Sequence, residues 1–113
     1  ALKLAHNVVV YAGFAATVEA VELSHAAGVR EGLLEEVATA SGALSDLGAM
    51  YMQYYKHFRD DPHTAGEDEA LRVAAALLEK DLSDAVALAE SCGTSLPVAR
   101  LLSHAGAKVF PVD

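Results

Sequence analysis

Residues 2–27 read LKLAHNVVVYAGFAATVEAVELSHAA, 26 positions without proline and almost without charge. The run ends at Gly28, a residue that stops helices by turning left-handed. At 100° per residue Lys3, Asn7, Val10, Phe14, Val21 and His25 fall on one stripe, and Ala5, Val9, Ala12, Ala16 and Leu23 on the opposite side. A helix apolar all round needs cover all round, so the segment predicts the long, buried central helix of a bundle. Gly13 with Ala12, Ala15 and Ala16 would let a neighbouring helix approach closely.

Outward from that helix, the rest of the chain divides at glycines and caps. Arg30 to Ala40 carries an apolar stripe of Leu33, Leu34 and Val37, with Glu31, Glu35 and Glu36 toward water, and stops at Ser41-Gly42. Ser45 is a natural N-cap for a third helix that runs through Tyr51, Tyr54 and Tyr55 to about Phe58. Residues 59–66, RDDPHTAG, form the one clear loop. Thr64 and Glu67 have the spacing of a capping box for a fourth helix ending at Ser91 before Gly93. Pro97 opens a fifth, where its missing N–H costs nothing, and that helix is expected to run to Lys108. The tail from Val109 to Asp113 reads as frayed. The expectation is a single all-α domain over residues 1–113, about five helices around the first one.

Composition removes several functions. The 113 residues are 53% apolar and carry a formal net charge of −8, with eight scattered basic residues. No basic stripe is available to neutralise phosphates, which argues against nucleic acid, and an anionic membrane surface would repel the chain. The longest apolar run, Val8 to Val18 with Tyr11 and Thr17 inside it, is shorter than the ~20 residues a span requires. The single cysteine, Cys92, excludes a disulfide framework and fits a reducing cytoplasm; near a helix end it reads as a small buried hydrophobe. The chain opens inside a helical pattern without Met, as expected of a piece of a longer protein. His57, Asp60, Asp61 and His63 straddle the loop without metal-ligand spacing, so no metal is expected. The tyrosines at 51, 54 and 55 have the spacing of ordinary packing, and His25 and His104 read as core or surface histidines.

Lys3 is the residue with chemical promise. It precedes Asn7 by four positions, so both side chains emerge on one face, with His6 to the side. A lysine shielded from water gives up its proton more readily, and such an amine can take a proton from a hydroxyl or return one to a carbonyl. An amide one turn away can hold the substrate oxygen. By spacing alone, an exposed helix start with no role is the better fit for Lys3 and His6. Lys80, four residues before Asp84, fits a surface ion pair.

The stretch Leu2-Lys3-Leu4-Ala5-His6-Asn7 resembles the K-L-x-x-N signature that opens the C-terminal domain of the β-hydroxyacid dehydrogenases, among them 3-hydroxyisobutyrate dehydrogenase and tartronate semialdehyde reductase. Glu79-Lys80-Asp81-Leu82, followed by Ala85, resembles the family's K-D-L-x-x-A block, and Gly93-x-x-x-Pro97 its following G-x-x-x-P. Glu19-Ala20 and Ala26-Ala27-Gly28 are similar to its spacing in the first helix. The resemblance implies a fold like the C-terminal domain of 6-phosphogluconate dehydrogenase. It implies NAD or NADP as cofactor, a small 3-hydroxy acid as substrate, and a homodimer or tetramer built from the helical domains. Lys3 would be the general acid/base, Asn7 would bind substrate, and Lys80 would approach the cofactor or substrate, with Asp81 structural. No G-x-G-x-x-G occurs here, so a dinucleotide-binding domain is expected upstream and would hold most of the cofactor. Val10 stands where the phosphogluconate enzyme has its glutamate acid, which argues against 6-phosphogluconate. A non-catalytic helical dimerisation module is the alternative.

Overall fold

The computed structural model describes residues 1–112 and is helical throughout: α1 (Leu2–Ala26), α2 (Leu33–Ala40), α3 (Asp46–Asp60), α4 (Ala65–Ser91), α5 (Pro97–Leu102) and α6 (Gly106–Val109). Asp113 lies outside the described residues. The all-α fold expected from periodicity is present, and the signals at Gly28, Ser45, Thr64–Glu67 and Gly93 act as expected, whereas α2 begins at Leu33 and not at Arg30, because Gly32 turns left-handed ahead of it. Ser45 accepts a hydrogen bond from the backbone of Gly48, and Thr64 and Glu67 form a reciprocal capping box at the head of α4. Gly28 and Gly93 adopt φ of 75° and 77° after α1 and α4. At those turns the N–H of Val29 reaches the carbonyl of Ser24, and that of Thr94 the carbonyl of Ala89, pairing carbonyls the helix ends leave open.

α1 touches every other helix, so it is central by contact. Its burial is another matter: only Val18 and Val21 are enclosed, whereas Leu2, Val9 and Leu23 are 84, 73 and 70% exposed. The reason is geometric. Five shorter or flanking helices cover one side of α1 and leave the opposite apolar side open. By length and composition alone α1 is also apolar enough to cross a membrane, but its contacts with all five neighbours make it a bundle helix here.

The deepest helix is α4. Leu71, Ala75, Leu78, Leu82, Ala85, Val86 and Ala89 recur at helical spacing and are all buried. Leu78 and Leu82 are each 1% exposed, and burying a leucine of this kind contributes about 1.5–3 kcal/mol. They meet Val18, Val21, Tyr51, Met52, Tyr55, Ala99 and Val109 in one core. The ring of Phe14 stacks on that of Tyr51 at 4.1 Å, with Phe110 edge-on to both. Tyr51 and Tyr55 are therefore core residues, as spacing suggested, while Tyr54 is exposed.

Three expectations need correction. The fifth segment is not one helix to Lys108: it breaks after Leu102, and α6 turns back onto α4, where the carboxylate of Glu79 accepts from the N–H of Gly106 at 3.0 Å. The tail is not frayed at Val109 and Phe110, since the first is 1% exposed and the second packs against the core. Cys92 is exposed, because it sits at the cap of α4, beyond Ala89, the last buried position of that helix.

Candidate active site

The first turns of α1 carry Lys3, His6 and Asn7; Lys3 and His6 are exposed, and Asn7 reaches the middle of α4. The link is a single hydrogen bond: Asn7 Nδ2 donates to Asp81 Oδ2 at 2.9 Å, across 74 positions of sequence. Asp81 is buried at 7% exposure, on the same side of α4 as Leu78, Leu82 and Ala85. A buried carboxylate needs donors, and Asn7 supplies one. The Tyr11 hydroxyl, one turn further along α1, is pushed above its ordinary pKa by burial and then by the charge of Asp81. Asp81 thus lies under α1 in the stretch from Asn7 to Tyr11.

On the outer side, His6 Nδ1 is 3.2 Å from Asn7 Oδ1. Lys3 is exposed, and it takes part in none of the ion pairs of the described residues. The shielding expected for this lysine is not provided within residues 1–112, because the first turn of α1 projects where no other helix covers it. Lys80 is also exposed. Its ammonium pairs with Asp84 at 2.9 Å, and the hydrogen bond and charge of that carboxylate raise its pKa. The structure therefore brings Asn7 onto the Lys80–Asp81 turn, and leaves Lys3 and Lys80 open to solvent.

Asp81 is the residue that sequence reasoning set aside as structural. A signal for it existed: its place three residues after Leu78 and four before Ala85 puts a carboxylate on an apolar stripe, where it must find a partner. What spacing could not supply was the partner's identity.

Concave spaces lie elsewhere. One of about 450 Å³ runs between α1 and α5, lined by Ala12, Ala15, Ala16, Val98, Leu101 and Leu102 among others. Another, of about 260 Å³, lies at the far end of α1, where Glu31 meets Lys56 at 2.8 Å and Glu22 meets Arg59 at 3.2 Å. Glu22 also accepts from the Tyr55 hydroxyl at 2.8 Å, and burial, followed by that bond, pushes Tyr55 up to about 12. Every cation named there has an acid beside it. Among the described residues no three His, Cys, Asp or Glu side chains gather as a metal site would require; His57 pairs with Asp61, and His63 with Asp68.

For a dinucleotide, the donor set fits one edge only. The exposed ammonium of Lys80 suits an anionic oxygen, and Asn7 suits a hydroxyl or amide, but the described residues include no strand-to-helix glycine turn to cradle a pyrophosphate. A family model described as NAD-binding of NADP-dependent 3-hydroxyisobutyrate dehydrogenase matches residues 1–109. No curated protein and no solved structure matches the chain.

Proposed function

Because the chain belongs to the family of the helical NAD-binding domain of NADP-dependent 3-hydroxyisobutyrate dehydrogenase, we propose that it forms the substrate side of an NAD(P)-dependent oxidoreductase. The reaction interconverts a small 3-hydroxy acid and its semialdehyde or keto acid. The observation that carries this reading is the Asn7–Asp81 hydrogen bond. It joins the lysine-asparagine block at the start of α1 to the lysine-aspartate block of α4, so the two most informative stretches of sequence meet at one place.

NAD(P)+, when bound, would accept the hydride, and a dinucleotide domain preceding this one would hold most of it. In the oxidative direction the Lys3 amine, once shielded from water in the assembled cleft, takes the proton of the substrate hydroxyl at Nζ, and returns it when the carbonyl is reduced. Asn7 hydrogen-bonds the same oxygen and orients it. Lys80 offers its ammonium to an anionic oxygen of cofactor or substrate. Its present partner, Asp84, is an exposed neighbour one turn away, and pairs of that kind exchange readily. Since Lys3 is open on this side, exclusion of water falls to the domain that closes over it.

The exposed apolar residues of α1 and α5 support assembly as well. Leu23 is 70% exposed and Leu101 76%, and large apolar side chains left open in this number mark interaction surfaces. A homodimer or tetramer through the helical domain is the corresponding proposal, in a reducing compartment such as the cytoplasm, where a lone free thiol is at home.

The test is hydride transfer by the complete protein from a panel of 3-hydroxy acids to NAD+ and NADP+, with Lys3→Ala beside wild type. General acid–base catalysis contributes roughly 10²–10⁴-fold, and a loss of that order on one substrate is the expected result. Unchanged turnover would remove Lys3 from the mechanism. A folded, cofactor-binding protein that turns over none of the panel would favour a helical assembly module without catalysis.

A further inference from the structure

Asn7 can face a ligand in two ways. Its amide has a carbonyl that accepts and an NH₂ that donates, and rotation by 180° exchanges them. A carboxylate facing the amide removes that freedom, because it only accepts. Asp81 faces Asn7 at 2.9 Å, so the group turned to it is Nδ2. Flipping the amide would set two acceptors against each other at a buried position, where such a conflict is least screened. Asp81 itself has little freedom to move away, with Leu78 and Leu82, each 1% exposed, on either side along α4.

We propose that Asp81 is a positioning residue: its buried carboxylate fixes the Asn7 amide so that Oδ1 is turned away from α4, on the side of His6. This rests on the reading of Asn7 as a substrate-binding residue. His6 Nδ1 lies 3.2 Å from that same Oδ1 and can share it only by donating. The outer face of Asn7 therefore presents an acceptor. A hydroxyl or an ammonium fits there, and the carboxylate of a hydroxy acid does not. Asn7 selects the alcohol end of the substrate, and the acid end is left for a cation.

The experiment uses the complete protein with 3-hydroxyisobutyrate and NADP+ as probes, in wild type, Asn7→Ala, Asp81→Asn, both together, and the exchanged pair N7D/D81N. Asp81→Asn keeps the shape but faces the amide with either an acceptor or a donor. It is expected to lower kcat roughly 10- to 100-fold, the range of one hydrogen bond to a charged group. In the Asn7→Ala background it is expected to do nothing further, since Asp81 acts through Asn7. The exchanged pair restores a hydrogen bond of opposite sense. It is expected to regain the wild-type melting temperature while staying at the activity of Asn7→Ala, a split that a purely structural role would not give. Losses that add in the double variant would overturn the proposal. Asn7→Ala impaired beside Asp81→Asn unimpaired would overturn the positioning role alone, and Asn7→Ala at full turnover would take down the substrate role on which it rests. A readout without turnover is the side-chain NH₂ signal of Asn7, identified in the complete protein as the [15N]asparagine signal that Asn7→Ala removes. With [15N]asparagine, its side-chain NH₂ hydrogens are expected to exchange with water more slowly in wild type than in Asp81→Asn. Equal exchange in the two would show that Asp81 does not hold the amide.

Discussion

The hydroxyl of Tyr51, buried in α3, donates to the backbone carbonyl of Val109 at the end of α6, at 2.6 Å. Burial pushes that hydroxyl far above its ordinary pKa, which favours the protonated, donating form. The bond ties the last helix to the aromatic stack of Phe14, Tyr51 and Phe110. Tyr51→Phe keeps the ring and strands the carbonyl, which costs about 1–3 kcal/mol. Urea unfolding measures it. A change below about 0.5 kcal/mol, the lower end for a net hydrogen bond, would mean that water reaches Val109 in place of the hydroxyl.

Gly106 is where α6 comes closest to α4. A Cβ there would lie 2.6 Å from the carbonyl oxygen of Ala75 and 3.0 Å from Cγ of Glu79. Backbone cannot step aside as a flexible side chain can, so Gly106→Ala is expected to cost about 1–3 kcal/mol. Gly13 in the middle of α1 meets nothing within 4 Å, and Gly13→Ala is expected to gain about 0.5–1 kcal/mol from reduced chain entropy. Thermal unfolding of both variants checks the pair. A loss at Gly13 in the complete protein would reveal another helix seated against it.

His63 closes the turn between α3 and α4. Its Nδ1 lies 2.9 Å from the Asp68 carboxylate and its Nε2 2.5 Å from the carbonyl of Phe58. Both partners only accept, so the ring serves both only when doubly protonated. The Phe58 carbonyl and then Asp68 raise its pKa. Because the folded value lies above the unfolded one of about 6.5, the stabilisation is complete below that pH and is lost as pH rises through the folded value. The melting temperatures of wild type and His63→Gln should therefore differ more at pH 6 than at pH 8.5. A gap independent of pH would show that the histidine acts without its charge.

The capping box at α4 gives a simpler expectation. Thr64 accepts from the N–H of Glu67 at 3.1 Å, and Glu67 accepts from the N–H of Thr64 at 3.2 Å. Thr64→Ala removes one of these bonds and should cost about 1 kcal/mol, read by chemical denaturation. No measurable loss would show that water caps α4 as well as the threonine does.

Local signals were legible and long-range ones were not. Gly28, Gly93, Ser45 and the Thr64–Glu67 pair end or begin helices for reasons contained in a few consecutive residues, and each acts where the sequence indicated. The break between α5 and α6 depends instead on Gly106 lying against Ala75, and the order at Val109 depends on Tyr51. Neither dependence leaves a periodic trace. The apolar composition of α1 indicated a helix buried all round, but composition does not say what provides the cover, and within the described residues one side stays bare. At the site, the shared face of Lys3 and Asn7 followed from helical spacing. That Asn7 is held by Asp81, and that Lys80 pairs with Asp84 while lying next to it, required the fold.

The 74 positions between Asn7 and Asp81 also set an order of events during folding. A contact between neighbours can form early, whereas one that closes most of the chain into a loop must wait until the entropy of closure is offset by other contacts. α1 leaves the ribosome with Lys3 and Asn7 already on it, yet the carboxylate that holds Asn7 is synthesised only after α2, α3 and half of α4. A nascent or truncated chain ending before Asp81 can be helical and still lack the geometry proposed for catalysis. The proposed chemistry would therefore be deferred until the fourth helix of this domain is in place.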